Sequence, residues 1–410
     1  MAAPLPARFA DLKRDITASY PDFEERITKA WGEIIAELQA VNAQIAQGGQ
    51  DYIPQVKFAD LHKLGAEDID KIKRRGTVVI RDVVPDAEAI RWKELLEEFV
   101  KANPDVEARA HPNILATSIW LNNLYHTKDG GSIDGVDLST PLTYADRFRI
   151  RRPGGIWGFH PPHVDSGAIE RWEDPIFRRC FASILSGDWR SHDPYELDER
   201  LNAASSRYGR PNQSTVFKAF QGWLAMSETA PTQGTLRVFP DVLLSNAYII
   251  LRPFFRPAVP AGSAGFLEAS NWEFDISSPD FPGISPRDGG YDGPQPTPAL
   301  HPHLELEKTM TSVPKVYPGD TVFWHCDVVH SVEQEHTGAG DSAVMYIPSV
   351  PLTPINQSYV ERQKEAFLQG QRPPDFPKAR GEESFVGLAG ADAILAPIGR
   401  RAMGLPISVA

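Results

Sequence analysis

Three residues of this 410-residue chain are suited by type and spacing to hold a metal ion. His163 and Asp165 are separated by one residue, and alternate residues of an extended segment point to the same face, so both side chains can reach one ion. His330 follows 167 residues after His163, behind a Pro-Gly-Asp turn and an apolar strand. Two histidines and one carboxylate on one side of an ion leave positions open, which suits Fe(II) that must also bind O2 and a chelating co-substrate.

Other histidines compete for these roles. His160 is close enough in sequence to be a ligand, but the two prolines that follow it restrict the backbone, so a supporting role is expected. His325 is expected to be a packed strand histidine, and His301, His303 and His336 to be surface histidines in loops. An ordinary turn at the first motif and a core histidine at the second remain the alternative to a metal site.

Several helices are expected around the metal motifs. Apolar residues recur at three- and four-residue steps over 8–48, which predicts one amphipathic helix. A short helix is predicted over 58–74, a buried strand over 76–80 and a helix over 85–100, with another over 355–368. The inward-facing residues are expected to include Phe23, Ile27, Trp31, Ile34, Leu38 and Val41 in the first helix, and Ile90, Leu95 and Phe99 in the third.

From about residue 110 the chain consists of short β-rich runs separated by Pro and Gly turns. Such runs, without helices between them, are typical of a sandwich or jelly roll, so a mainly β core in an α+β chain is expected. The predicted strands are 148–151, 216–224, 235–239, 248–251, 313–317, 321–324 and 343–347.

The length of the chain exceeds what a single hydrophobic core usually supports, which is about 250–300 residues. We therefore expect an N-terminal helical extension over 1–75, a main domain over 76–370 and a tail over 371–410 that packs on the core. Residues 257–300 show no clear period and are rich in Pro, Gly, Ser and Asp, which predicts a long insertion that could cover a cavity.

The bulk composition excludes several classes of protein. A net charge of −12 disfavours binding to nucleic acid or to anionic membranes. Two cysteines rule out a disulfide scaffold and fit a reducing compartment, so a cytoplasmic location is expected. No stretch is long and apolar enough to predict a membrane span.

The chain resembles two related groups of proteins. The segment 220–240, with its Gly234-Thr-Leu-Arg-Val-Phe-Pro240 end, lies between the metal motifs and is similar to the corresponding part of the phytanoyl-CoA hydroxylase-like oxygenases. The whole chain, and especially the segments 163–174 and 234–240, resembles the YbiU-like domain-of-unknown-function family in the same superfamily. The resemblance implies a double-stranded β-helix (a cupin-like jelly roll) with N-terminal and flanking helices. It further implies Fe(II), 2-oxoglutarate and O2, with His163, Asp165 and His330 as ligands.

One departure from the resemblance concerns the cation for 2-oxoglutarate. The better-known relatives place an arginine about ten residues after the last histidine, where this chain has Gly340-Asp-Ser and no arginine until Arg362. A dicarboxylate needs a cation, and a guanidinium suits it best. The first candidate is Arg237, in the strand between the motifs; the other candidates are Arg149, Arg252 and Lys218.

These features predict an Fe(II)- and 2-oxoglutarate-dependent dioxygenase that oxidises, and by default hydroxylates, a small molecule, with succinate and CO2 as co-products. Two alternatives stay open, namely a non-redox cupin-like metalloenzyme (isomerase or lyase) and a non-catalytic jelly-roll protein that binds a ligand. Acidic residues in the segment 186–213 fit either a polar or cationic substrate or a solvated face.

Overall fold

The fold is a mixed α+β arrangement of several small sheets surrounded by helices, seen in a computed structural model. The structure describes residues 4–102, 111–158, 160–210, 213–376, 386 and 390–407. The helices are α1 (Arg8–Ala18), α2 (Phe23–Gly48), α3 (Ala66–Arg75), α4 (Asp86–Ala102), α5 (Pro112–Asn122), α6 (Glu170–Glu173), α7 (Pro175–Arg179), α8 (Ala182–Leu185), α9 (Val242–Leu251), α10 (Leu306–Thr309), α11 (Pro354–Leu368) and α12 (Pro397–Ala402).

The strands are short and are distributed over two main sheets and three two-stranded sheets. They are β1 (Gln55–Lys57), β2 (Thr77–Arg81), β3 (Asp137–Leu142), β4 (Phe148–Arg151), β5 (Phe220–Ala225), β6 (Leu236–Val238), β7 (Phe255–Pro257), β8 (Trp272–Phe274), β9 (Ser285–Arg287), β10 (Gly290–Asp292), β11 (Thr311–Ser312), β12 (Thr321–His325), β13 (His330–Val332), β14 (Ser342–Tyr346) and β15 (Val350–Leu352). Over the described ranges these strands do not close into a barrel.

The larger sheet has the order β1-β2-β12-β5-β14-β4. Its strand β12 is buried along its whole length because β2 and β5 pair with it on both sides. Phe323 on β12 lies opposite Gly222 on β5, and a Cβ on Gly222 would stand 2.2 Å from the ring of Phe323. The glycine thus lets the ring cross its neighbour strand, so this position accepts no side chain.

The smaller sheet has the order β11-β6-β13, and it holds the second metal motif. His330 begins β13, and it also forms an isolated antiparallel bridge with His163, which lies outside the named strands. This bridge brings the two motifs together across a long stretch of sequence.

The N-terminal helices pack as a layer against the α9 region. The predicted inner residues of α2 are all buried, which confirms that face. The prediction of a single helix over 8–48 was wrong, because the chain turns at Ser19–Asp22 and Asp22 adopts a positive φ of 51°. Trp31 is 1% exposed and stacks on Phe255, with ring centroids 4.4 Å apart.

Two local predictions failed for reasons of packing. Residues 248–251, predicted to be a strand, lie in helix α9, which is buried on nearly every side and is capped by the Asp241 carboxylate accepting from Leu244 N at 2.9 Å. A helix buried all round has no polar face, so its sequence shows no 3.6-residue period. In the described part of α4 the buried residues are Ala89 and Leu96, whereas Ile90 and Leu95 are 42% and 44% exposed; the side chain of Phe99 lies outside the described residues.

Other predicted elements differ in their bounds. The segment 58–74 divides into a 3-10 turn, Phe58–Lys63, and α3. The segment 313–317 contains no strand; β11 ends before it, and Val316 forms only an isolated bridge with Thr229.

The segment 257–300 is ordered rather than structureless. It contains β8, β9 and β10, and its residues Trp272 and Phe281 belong to the core shared with α1 and α2. His301, His303 and His336 are 0%, 4% and 2% exposed, so the prediction that they are surface histidines was wrong.

None of the helices in the described ranges combines the length and apolar character needed to cross a lipid bilayer.

The stacked position of Trp31 leads to a prediction for stability. We expect Trp31→Ala to lower the free energy of unfolding by about 3–5 kcal/mol, because it removes a buried ring and leaves a cavity. Chemical denaturation measures this change. The control is Lys29→Ala, whose side chain is 81% exposed on the same helix. Equal losses in the two variants would contradict the role given to the buried ring.

Candidate metal centre

The two histidines of the candidate site face each other across the backbone bridge. His163 N donates to His330 O and His330 N donates to His163 O, both at 2.9 Å. Paired residues of an antiparallel bridge place their side chains on the same face. The ring centroids are consequently 4.2 Å apart.

Asp165 completes a cluster of three ligand groups. Its carboxylate oxygens lie 3.7 Å from His163 Nε2 and 3.3 Å from His330 Nε2. All three ligand atoms lie within 4.8 Å of one another. An ion about 2.1 Å from each atom fits such spacings, because ligands at near right angles around it stand about 3 Å apart.

Backbone carbonyls select the ring nitrogens that face the cluster. His163 Nδ1 lies 2.7 Å from Pro161 O, and His330 Nδ1 lies 3.0 Å from Val328 O. Each Nδ1 therefore carries the proton and donates, which leaves the Nε2 lone pair directed at the ion position. The structure thus presents both rings in the tautomer that a metal requires.

The electrostatics keep His163 and Asp165 in their metal-binding protonation states. Burial, followed by the nearby ring of His330, lowers the pKa of His163. Burial alone would raise the pKa of Asp165, but His163 and His330 outweigh it and hold that pKa well below its ordinary value. Neutral imidazole and ionised carboxylate are the forms that bind a metal.

Gln221 supports the carboxylate from strand β5. Its side-chain amide donates to Asp165 Oδ2. The amide fixes one carboxylate oxygen and so orients the other one. Sequence reasoning missed this residue, although its alternation with Trp223 along β5 places both on the face that borders the site.

Arg171 holds the turn that carries Asp165. The side chain is 2% exposed, and its Nη2 donates to Asp165 O at 2.7 Å while its Nε donates to Gly167 O at 3.3 Å. The turn needs such support, because Ser166 and Gly167 have positive φ values of 63° and 96°. A non-glycine residue in that conformation is costly unless its surroundings fix it.

Asp327 links this turn to the loop that leads to His330. Its carboxylate is fully buried and pairs with Arg171 Nη1 at 2.9 Å and with Arg200 Nη2 at 2.8 Å. Burial would raise the pKa of Asp327, but Arg200 and Arg171 hold it far below its usual range. Asp327 lies three positions before His330, so one salt-bridged group connects both ligand-bearing segments.

A second cluster of potential ligands consists of His325, Cys326 and Asp327. Two of its three residues already have other partners, because Asp327 binds two arginines and His325 Nε2 lies 3.0 Å from Pro194 O. His325 is 0% exposed, which confirms that it is a packed histidine.

His160 lies beside the cluster rather than in it. Its Nδ1 accepts from Trp157 Nε1 at 2.6 Å, and its ring stacks on the indole with centroids 5.6 Å apart. Burial, together with His163, lowers the pKa of His160 to about 4. The ring is therefore a neutral neighbour of the candidate site.

The cluster opens into a cavity of about 460 Å³. Cavities of this size hold small molecules. The aromatic part of its wall consists of Tyr144, Phe148, Trp157, Trp223, Trp324, Tyr346 and Phe376. Arg210 and Gln213 are the described residues of the segment 186–213 that line the cavity. None of the described acidic residues of that segment lines it, so they give no evidence for a cationic substrate.

Two of the four predicted cations line the cavity, and the other two bind backbone carbonyls elsewhere. Arg149 and Lys218 line the cavity. Arg237, the first candidate from sequence, points away from it and donates to Met310 O at 2.6 Å through Nη2. Arg252 donates to Leu300 O and Phe255 O at 2.8 and 2.6 Å. Alternation along β6 explains the outcome, because Leu236 faces the cavity and Arg237 must face the other way.

These features define a mixed α+β protein with a two-histidine, one-carboxylate cluster at the floor of a cavity. The family profile described as Gig2-like matches residues 3–405, and the chain belongs to the Gig2-like family.

Relatives of known structure cover nearly the whole chain. The GlcNAc-inducible GIG2 of Candida albicans is 32% identical, with a TM-score of 0.87 over 99% of this chain and 90% of that one. A Salmonella typhimurium LT2 protein, named provisionally as an oxidoreductase, is 27% identical, with a TM-score of 0.80 over 98% and 99% of the two chains. YbiU of Escherichia coli K12 is 29% identical over 98% of this chain and 96% of its own.

The Arg171–Asp327–Arg200 group provides a matched pair of variants. We expect Arg171→Lys to weaken Mn(II) binding about 10–100-fold, because a lysine cannot hold Asp327 and two backbone carbonyls at once. Titration of free Mn(II) by electron paramagnetic resonance measures the affinity.

The control for this prediction is Arg200→Lys. It disturbs the same buried carboxylate without touching the Asp165 turn, so it should lower the melting temperature while leaving Mn(II) affinity nearly unchanged. If both variants lost affinity in step with stability, Arg171 would have only a general structural role.

Proposed function

We propose that this protein is an Fe(II)- and 2-oxoglutarate-dependent oxygenase that oxidises a small molecule. The observation that carries the proposal is the His163, Asp165 and His330 cluster, which opens into a cavity lined by Arg149, whose Nε and Nη1 find no partner among the described residues. Bound Fe(II) and 2-oxoglutarate would together activate O2, so that one oxygen atom enters the substrate and the other enters succinate, with CO2 released.

The donor set fits such an ion. Two imidazoles and one carboxylate suit Fe(II), and a closed thiolate site would not. The three donors come from one side, so the cavity side stays available for other ligands. Gln221 and Arg171 hold the Asp165 carboxylate and its backbone, which keeps the donors in place before an ion arrives.

Arg149 is the residue that we assign to the distal carboxylate of 2-oxoglutarate. Its Nε and Nη1 are buried and have no hydrogen-bond partner within the described ranges. Its guanidinium carbon lies 5.3 Å from the ring centroid of Trp157 and 5.8 Å from that of Tyr346, so aromatic faces surround it. A guanidinium with unused buried donors beside a cavity favours an anionic ligand, and a carboxylate matches its fork geometry.

The position of Arg149 also accounts for the arginine that is missing after the last histidine. Strand β14, which follows His330, pairs with β4, and Val344 lies opposite Arg149. Directly paired residues of antiparallel strands project to the same face. A cation on β4 can thus serve the region that β14 serves in the better-known relatives.

The strand order supports a jelly-roll core for this oxygenase. In the larger sheet β4, β14, β5 and β12 are adjacent, and in the smaller one the His163 segment, β13, β6 and β11 are adjacent. Along the chain these eight segments alternate between the two sheets, except that β6 and β11 are consecutive in the smaller sheet. Two facing four-stranded layers connected in this way are the plan of a jelly roll.

The aromatic residues that line the cavity have a role in the proposed reaction. Trp157, Trp223 and Trp324 line the same cavity as the cluster, and we expect a substrate packed against them to displace water from it. Exclusion of water strengthens the electrostatic contacts of Arg149 and protects reactive species from side reactions.

Anaerobic loading with Fe(II) followed by 2-oxoglutarate tests the proposal. We expect a weak visible absorption band in the wild type that is absent from His163→Ala and His330→Ala, because each variant lacks one ligand. The control His62→Ala removes an exposed histidine and should retain the band. One bound iron without a band would favour a non-redox metalloenzyme, and no bound iron would favour a ligand-binding protein.

A second prediction concerns the co-substrate. Arg149→Met should weaken 2-oxoglutarate binding about 10–100-fold, since a hydrogen bond to a charged group contributes about 1.5–3 kcal/mol. The amplitude of the same band, titrated with 2-oxoglutarate, gives the affinity. Arg237→Met is the matched control and should bind as the wild type does. The reverse result would return the anchor to Arg237.

A further inference from the structure

Lys218 is the second cation of the cavity whose donors are unused. Its side chain is 12% exposed, and its ammonium lies 4.1 Å from the ring centroid of Tyr144. Asp146 Oδ2 is 3.9 Å away, which is too far for a hydrogen bond. Nothing else in the described part of the chain accepts a hydrogen bond from Lys218.

The side chain is largely buried in the cavity wall, and its ammonium has three protons to donate that find no hydrogen-bond acceptor in the described part of the chain. Asp146 does not meet this need, because its Oδ1 accepts from Arg147 N at 2.9 Å and its other oxygen only approaches Lys218. An incoming acidic group would give the ammonium the acceptors that it lacks.

The co-substrate does not account for both unused cations. One carboxylate of 2-oxoglutarate belongs beside the ion, and the other needs a single anchor, for which Arg149 is the better match. Arg210, which also lines the cavity, is already paired with Asp292 at 3.1 Å. Arg147 is exposed at the cavity edge, and its guanidinium carbon lies over the ring of Phe376, 4.8 Å from the centroid. Lys218 therefore remains as a second anion-binding position in the same cavity.

We propose that Lys218 binds the acidic group of the substrate, and that the substrate is a small molecule with a carboxylate or a phosphate. This inference rests on the proposed function, because it takes Arg149 as the anchor of 2-oxoglutarate. The rings of Tyr144 and Phe376 lie on the same wall and provide an apolar surface for the rest of the molecule. The segment before β5 thus selects the substrate, while β5 itself supports Asp165 through Gln221.

Isothermal titration calorimetry with two simple probes, inorganic phosphate and benzoate, tests the inference on protein loaded with Mn(II) and 2-oxoglutarate. We expect one of them to bind the wild type, and Lys218→Met to weaken it about tenfold or more while 2-oxoglutarate binding is retained. Lys218→Arg should restore binding of the probe. Lys315→Met, which changes a half-exposed lysine paired with Glu228, should leave it unchanged.

Each outcome separates the two proposals. Binding of phosphate alone points to a phosphorylated substrate, and binding of benzoate alone points to a carboxylic acid. The inference is overturned if neither probe binds the loaded wild type, if Lys218→Met binds the probe as well as the wild type, or if that variant loses 2-oxoglutarate instead. Failure of Mn(II) and 2-oxoglutarate to bind at all would refute the oxygenase, and titration of the metal-free protein would then still test Lys218.

Discussion

The two backbone hydrogen bonds between His163 and His330 are the constraint on which the rest of the site depends. They hold residues from distant parts of the chain in one antiparallel pair, and the pairing sets the distance between the rings before any ion is bound. The register of this pair is in turn set by β13, which continues from His330 along β6. A shift of one residue would turn the ring of His330 to the opposite face. The relative position of the two candidate histidine ligands is thus a consequence of strand register.

The Asp165 side of the cluster depends on a different kind of interaction. Arg171, Asp327 and Arg200 bury two positive charges against one negative charge, which is costly unless every donor finds an acceptor. The backbone oxygens of the Asp165 turn provide acceptors for Arg171. The Arg171 guanidinium gains acceptors from the turn at Asp165, and the turn gains support from the guanidinium, so the two stabilise each other. A buried ionic group used in this way contributes position rather than net stability.

The sequence predicted the parts of the site that depend on local spacing and missed those that depend on which face of a strand is inside. The His-x-Asp motif is local, because two residues apart means the same face. Alternation also showed that Arg237 and Leu236 face opposite ways, but it could not tell which of the two faces the cavity. Arg149 could be recognised only once β4 was known to lie beside β14. Helix α9 was missed for a related reason, since burial on every side removes the polar face from its pattern.

The position of Arg149 on β4 leaves the neighbouring strand β14 free of a buried charge. An arginine on β14 itself would put a charge into a strand that is buried between β4 and β5. With the guanidinium on β4, at the outer position of the sheet order, β14 keeps an apolar sequence and contributes the ring of Tyr346 against the cation. Strand β14 also pairs with β5, which supports Asp165 through Gln221. The proposed anion anchor and Gln221, the support of Asp165, consequently lie in one sheet, so their separation is fixed by strand pairing rather than by a loop.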